Sequence, residues 1–219
     1  MRVMVLGANG QTGRLIVDGL KERGHTPIAA VRKPEQCAHF ENEGTQTVLA
    51  DLEYPLDEAI QEVDAVIFAA GSGSKTGKDK TVLVDHLGAI RSMVAAAEND
   101  VRRYVMLSSI GADINSQSRI KHYHRAKGAA DNFLRSCHEV LEKPLDWTIL
   151  CPGSLIDEPC GDGITVSDNL LEKPADEGRT SRIKLAQALV LCLEKPATIG
   201  KSFALFEGPT PIEMALDTV

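Results

Sequence analysis

Apolar residues in this chain fall into short unbroken runs that alternate with amphipathic stretches. Val3-Met4-Val5-Leu6 is such a run and predicts a buried strand over Met1 to Leu6. A helix is predicted from Gly13 to Arg23, closed by Gly24, and a second strand from Thr26 to Val31. Strand, helix and strand in about thirty residues form a βαβ unit. Its crossover is right-handed in nearly all cases, so the two strands lie in a parallel sheet.

The alternation continues. A third strand is predicted from Thr45 to Ala50, a short helix from Pro55 to Glu62, and a fourth strand from Asp64 to Gly71. A polar loop, Ser72 to Lys80, precedes a long helix from Thr81 to Asn99 with Val84, Leu87, Ile90, Val94 and Ala97 on one face. Arg103 to Ser108, Lys121 to Leu141 and Leu145 to Leu150 read as strand, helix and strand, the last broken by Pro152-Gly153. This pattern predicts an α/β fold, a doubly wound parallel sheet forming one domain over residues 1–219. From Ile156 to Thr180 the periodicity is interrupted by Pro159, Gly161, Gly163, Pro174 and Gly178. Residues 153–180 therefore read as an irregular region, either an excursion over a substrate or a surface loop. A helix from Arg182 to Glu194, a strand from Ser202 to Phe206 and a helix from Ile212 to Val219 follow.

The first strand leads into Gly7-Ala8-Asn9-Gly10-Gln11-Thr12-Gly13. A strand that turns on glycines into a helix aims free backbone N–H groups and a positive dipole end at one point, which suits a phosphate. Gly7 permits the tight turn, Gly10 leaves backbone bare for a diphosphate, and Gly13 allows close helix–strand packing. In dinucleotide folds an acid at the end of the second strand meets the free ribose 2′-hydroxyl, whereas an arginine meets a 2′-phosphate. Here that strand ends in Arg32-Lys33, which favours NADP over NAD. The small residues Ala69, Ala70 and Gly71 at the fourth strand's carboxyl end let a flat ring lie against backbone.

Composition narrows the function classes. The 219 residues carry a formal net charge of -7, against a nucleic acid or anionic membrane partner. No apolar run approaches the ~20 residues of a membrane span. Five scattered cysteines (Cys37, Cys137, Cys151, Cys160, Cys192) fit the reduced thiols of a cytoplasmic protein. No metal is expected: His122 and His124 flank Tyr123 but diverge in direction on a helix.

Tyr123 and Lys127 lie four apart on one helix face, an arrangement in which an ammonium lowers the pKa of a phenol. Ser108-Ser109, ending the fifth strand, supplies hydroxyls for a reacting oxygen. With the glycine motif, Asp51-Leu52, Ala69-Ala70-Gly71 and Tyr123-x-x-x-Lys127, the chain resembles the short-chain dehydrogenase/reductase superfamily over nearly its whole length. Within it the resemblance is to the atypical branch near the epimerase/dehydratase and flavin-reductase-like members. It implies that Gly7, Asn9, Gly10, Gln11, Thr12, Gly13, Arg32, Asp51, Leu52, Ala69, Ala70, Gly71, Ser108 and Pro152 meet the cofactor. By the same resemblance Tyr123 exchanges the proton, Ser109 or Ser108 orients the substrate, Ser109 being nearer the family's usual spacing to Tyr123, and Lys127 binds the nicotinamide ribose.

Three positions depart from the family pattern. Asp85 stands where relatives carry an asparagine that supports a water relay, Cys151-Pro152-Gly153 replaces Arg-Pro-Gly, and Lys184 replaces an aspartate. The resemblance implies an NADPH-dependent oxidoreductase acting on a small carbonyl, quinone, flavin or similar compound. A nucleotide-sugar epimerase or dehydratase and a non-catalytic NADP-binding redox sensor are the alternatives. The expected partner is a small-molecule substrate, with the chain a monomer or homodimer.

Overall fold

The computed structural model describes residues 1–73, 76–159, 161–172 and 178–219. Cys160 and Pro174, named above, lie outside them.

The chain opens with β1 (Arg2–Leu6), α1 (Gln11–Glu22) and β2 (Thr26–Val31). A short helix, α2 (Cys37–Glu41), leads to β3 (Gln46–Leu49), and β4 (Ala65–Phe68) follows. The helix predicted over Pro55 to Glu62 is a single turn, in which Ala59 and Ile60 donate to the Leu56 carbonyl at 3.0 Å. Burying Leu56 and Ile60 requires no more, and one turn has already met the cost of helix nucleation without propagating.

The long helix begins earlier than predicted, as α3 (Lys78–Lys80), runs through a π-helical stretch (Thr81–Gly88) and continues as α4 (Ala89–Glu98). The π-helical stretch rotates the buried face. Asp85, Gly88, Ser92, Met93 and Ala96 point inward, while Leu87, Ile90 and Val94, predicted to face the core, are half-buried. Such segments recur at functional sites because they re-aim a side chain, here Asp85.

Next come β5 (Arg103–Leu107), α5 (Lys121–Arg135), α6 (Cys137–Val140) and β6 (Asp146–Pro152). The predicted single helix over Lys121 to Leu141 breaks at Ser136, whose hydroxyl bonds back to the Asn132 carbonyl at 2.9 Å. The region expected to be irregular contains β7 (Ser154–Ile156), β8 (Gly163–Ser167) and β9 (Arg179–Ser181). The chain then forms α7 (Arg182–Glu194), β10 (Lys201–Gly208) and α8 (Ile212–Leu216).

The main sheet among the described residues is ordered β3-β2-β1-β4-β5-β6-β10-β8, with β7 and β9 paired separately. From β3 through β10 every pairing is parallel; β8 runs antiparallel to β10 and closes the edge. This is the doubly wound fold with an antiparallel edge strand in place of an all-parallel sheet. β8 escaped notice because Gly161 and Gly163 read as breakers, yet an edge strand tolerates glycine.

Alternation along the strands builds a core on each face. Val3 and Val5 pack with α1, α7 and Phe40 on one side, while Met4 and Leu6 pack with α4 and α5 on the other. The strands' carboxyl ends therefore form a rigid rim between two packed layers.

Candidate active site

Along that rim runs a cleft of about 510 Å³. Its first wall is the turn from β1 into α1, where Gly7, Asn9, Gly10, Gln11, Thr12 and Gly13 all face the space. Gly10 caps α1 in extended backbone with no side-chain hydrogen bond, so the helix's first N–H groups are not taken by a capping side chain. Gly7 has φ 88°. A Cβ there would stand 2.6 Å from Ala70 Cα, and one at Gly13 would collide with the Gly7 carbonyl oxygen. Both positions must stay bare, which is the geometry a diphosphate needs to approach backbone. Asn9 is held across the turn by Arg14, which donates to its Oδ1 at 2.6 Å.

One flank carries Arg32, Asp51 and Leu52 together with Gln36, a residue the sequence reading passed over. Gln36 Oε1 accepts from the backbone N–H groups of Arg32 at 3.1 Å and Lys33 at 3.0 Å, which fixes the turn after β2. Ala69, Ala70, Gly71, Ser72 and Val84 form the middle. Asp85 is 1% exposed, and its Oδ2 accepts from Ser72 N–H at 3.0 Å, tying the end of β4 to the π-helical segment.

Leu107, Tyr123 and Lys127 bring β5 and α5 to the far end, and Leu155 and Arg182 complete the lining. Lys127 is 1% exposed; its Nζ donates to the Leu107 carbonyl at 2.6 Å and sits 5.4 Å from the Phe68 ring centre. Burial lowers its pKa, against the opposing fields of Asp131 and Asp85. The nearby Ser109 hydroxyl lowers the Tyr123 pKa. Burial, reinforced by the Asp85 charge, outweighs that and holds the phenol well above the usual tyrosine range. This is opposite to the lowering expected from Lys127: the ammonium is engaged by the Leu107 carbonyl, and the charges that act on the phenol are carboxylates.

Three residues expected at the cofactor or substrate do not line the cleft. Ser108 is 3% exposed and donates to Asp131 Oδ2 at 2.6 Å. Ser109 donates to the Ile110 carbonyl at 3.2 Å. Pro152 is buried in β6, its carbonyl accepting from Ile110 N–H at 3.0 Å. Asp131, which the sequence reading did not single out, lies one turn beyond Lys127. Its position in the series Tyr123, Lys127, Asp131 is the signal that would have marked it. Arg182 and Leu155 lay in and beside the stretch without periodicity, where no spacing argument reaches.

Cys151 is buried beside this cluster, and burial pushes its thiol up to about 12, so it is no nucleophile at neutral pH. Among the described residues no cluster of three or more His, Cys, Asp or Glu is arranged to hold a metal ion. No helix among them is long and apolar enough to cross a membrane.

Residues 7–196 match the NAD(P)H-binding family model. The chain is 40% identical over 222 residues to an uncharacterized sugar epimerase of Bacillus subtilis, covering 99% of each protein. A solved structure from Bacillus halodurans, assigned provisionally to the NAD-dependent epimerases/dehydratases, superposes with a TM-score of 0.90 at 36% identity over 100% of both chains. An oxidoreductase from Lactococcus lactis superposes with a TM-score of 0.84 at 26% identity, over 100% of this chain and 96% of that one.

Proposed function

We propose, for a chain that belongs to the NAD(P)H-binding Rossmann family, that it is an NADPH-dependent reductase of a small carbonyl, quinone, flavin or related unsaturated compound. The observation that carries this reading is one cleft lined both by the bare glycine turn and by the Tyr123–Lys127 pair. A group that ends a reduction must have a proton to give, and burial, which raises the Tyr123 phenol, favours the protonated form. An epimerase or dehydratase begins by removing a proton, which calls for a phenolate. The names of the two Bacillus relatives favour that second chemistry; the burial that raises the Tyr123 phenol favours reduction.

The glycine turn and the N-terminus of α1 would hold the diphosphate, and Arg32, with no ion-pair partner among the described residues, would meet a 2′-phosphate. A reduced nicotinamide supplies hydride when bound. Tyr123 gives its phenolic proton to the oxygen, or in a flavin the ring nitrogen, that the hydride leaves electron-rich, with the Ser109 hydroxyl nearby. Lys127, anchored on the Leu107 carbonyl, lines that end of the cleft and would meet the nicotinamide ribose.

The test is NADPH oxidation by purified protein with a panel of quinones, flavins and aldehydes. Turnover that is lost in Tyr123→Phe is expected. Tight NADP binding with no turnover on any acceptor, and none on nucleotide sugars, would leave the non-catalytic sensor as the surviving reading.

A further inference from the structure

We infer that Arg182 is the recognition point for an anionic group on the substrate, and that Asp157 holds this arginine until the substrate replaces it. The inference rests on the reductase reading for what happens at the far end of the cleft.

Arg182 is held firmly. Leu155 and Ile156 pair with Thr180 and Ser181 in the β7–β9 ladder, and Arg182 follows directly as the first residue of α7. Its side chain reaches the cleft wall beside Leu155. Only 18% of that side chain is exposed, whereas its partner Asp157 is 75% exposed. The contact is Nη1 to Oδ1 at 2.6 Å, and among the described residues it is the one ion pair Arg182 makes. A guanidinium presents a fork that binds a carboxylate or phosphate through two nitrogens, so this contact uses half of its capacity.

The pair is therefore unequal. A mostly buried guanidinium needs an anion, because leaving it unpaired incurs the desolvation cost of a charge. Asp157 needs no arginine, since water solvates it when released. Exchange of Asp157 for a substrate anion is then favourable whenever the incoming group binds through both nitrogens.

The other charged groups lining the cleft are differently engaged. Lys127 donates to the Leu107 carbonyl, and Arg32 and Asp51 stand on the flank near β2. Arg182 lines the same cleft from the start of α7, beside Leu155. The substrate class is an unsaturated acceptor bearing a carboxylate or phosphate.

FMN and riboflavin serve as probes, since they share one ring system and differ by a phosphate. Their binding to the NADP⁺-saturated protein is followed by flavin fluorescence. FMN is expected to bind tighter than riboflavin by about tenfold or more, as one charge-assisted contact gives. Arg182→Gln should erase the difference, Arg182→Lys should retain part of it, and Asp157→Asn should enlarge it, all with an unchanged NADP⁺ Kd. Equal binding of the two flavins, or failure of both to bind, overturns the inference. So does a preference for FMN that survives Arg182→Gln, or a loss of NADP⁺ affinity in that variant, which would make Arg182 a cofactor contact. Should Arg182→Gln fail to fold, the opposite-signed effect of Asp157→Asn decides: no gain in FMN affinity refutes the exchange. Absence of NADPH turnover with every acceptor, alongside these binding differences, would remove the reductase reading and leave the anion site standing.

Discussion

Ser108 donates its hydroxyl to Asp131 Oδ2 at 2.6 Å, and both side chains are sealed from solvent beneath the Tyr123 end of the cleft. The other carboxylate oxygen, Oδ1, is buried without a hydrogen-bond partner among the described residues. Burial raises the Asp131 pKa, against the lowering fields of Lys127 and the Ser108 hydrogen bond. The carboxyl thus sets the charge balance of a dry pocket that also contains Lys127. Asp131→Ala would leave the buried Ser108 hydroxyl without its acceptor and should destabilise the protein by about 2 kcal/mol. Asp131→Asn, which keeps an acceptor for Ser108, should cost less. Urea denaturation of the two variants checks the order.

The phenol of Tyr123 fixes the pH dependence of the proposed reaction. With its pKa raised, the donor keeps its proton past the ordinary tyrosine value of about 10. NADPH oxidation should therefore show no tyrosine-dependent decline through neutral and moderately alkaline pH. Tyr123→Phe should lower kcat by about 10²-fold or more while the NADPH Kd changes little. A kcat midpoint well below the tyrosine range that vanishes in Tyr123→Phe would show that a phenolate does the chemistry.

Cofactor choice is tested at Arg32. If its guanidinium meets a 2′-phosphate, Arg32→Ala should weaken NADP⁺ by about tenfold or more and leave NAD⁺ nearly unchanged. Calorimetric titration of both nucleotides into both proteins gives the comparison. Equal losses would assign Arg32 to the turn after β2 instead.

Away from the cleft, Glu194 joins the end of α7 to the end of α1. It accepts from Arg23 Nη2 at 2.6 Å and bonds His25 Nε2 at 2.8 Å. The Arg23 hydrogen bond, with help from His25, brings its carboxyl down to about 2 from an ordinary 4.5. A depressed carboxylate contributes stability that is present above its unfolded pKa and is lost as pH falls through the folded one. The advantage of wild type over Glu194→Gln should shrink between about pH 4.5 and about pH 2. Because the pair is largely at the surface, that advantage should stay within about 1 kcal/mol. Thermal melts across this range measure it.

What the sequence made legible follows from how local each signal is. Gly7 and Gly13 are required by contacts with Ala70 and with Gly7 itself, and such close approaches leave a spacing that can be read directly. The buried strands were equally plain, because both faces of the sheet are covered and each strand is a continuous apolar run. Asp85 entered the site through a π-helical segment that hydrophobic periodicity does not encode. Asp131, Arg182 and β8 depend on partners far along the chain, so their roles appear only when the sheet has brought Ser108, Asp157 and β10 to them.

Lys184 and Glu207 illustrate the same dependence and give a last test. Lys184 Nζ lies 2.8 Å from Glu207 Oε2 and donates to the carbonyls of Gly161 at 2.9 Å and Gly163 at 2.8 Å. Glu207 Oε1 accepts from Ser181 N–H, the cap residue of α7. The two charges, 7% and 6% exposed, thus pin the start of β8 and the start of α7 to β10, and with them Arg182. Breaking one side should cost more than replacing both, since a single substitution strands a buried charge. Lys184→Met alone and Glu207→Gln alone should each lose about 3 kcal/mol. The Lys184→Met, Glu207→Gln double variant should recover part of that loss, and full additivity in urea denaturation would show that the two charges do not act as a pair.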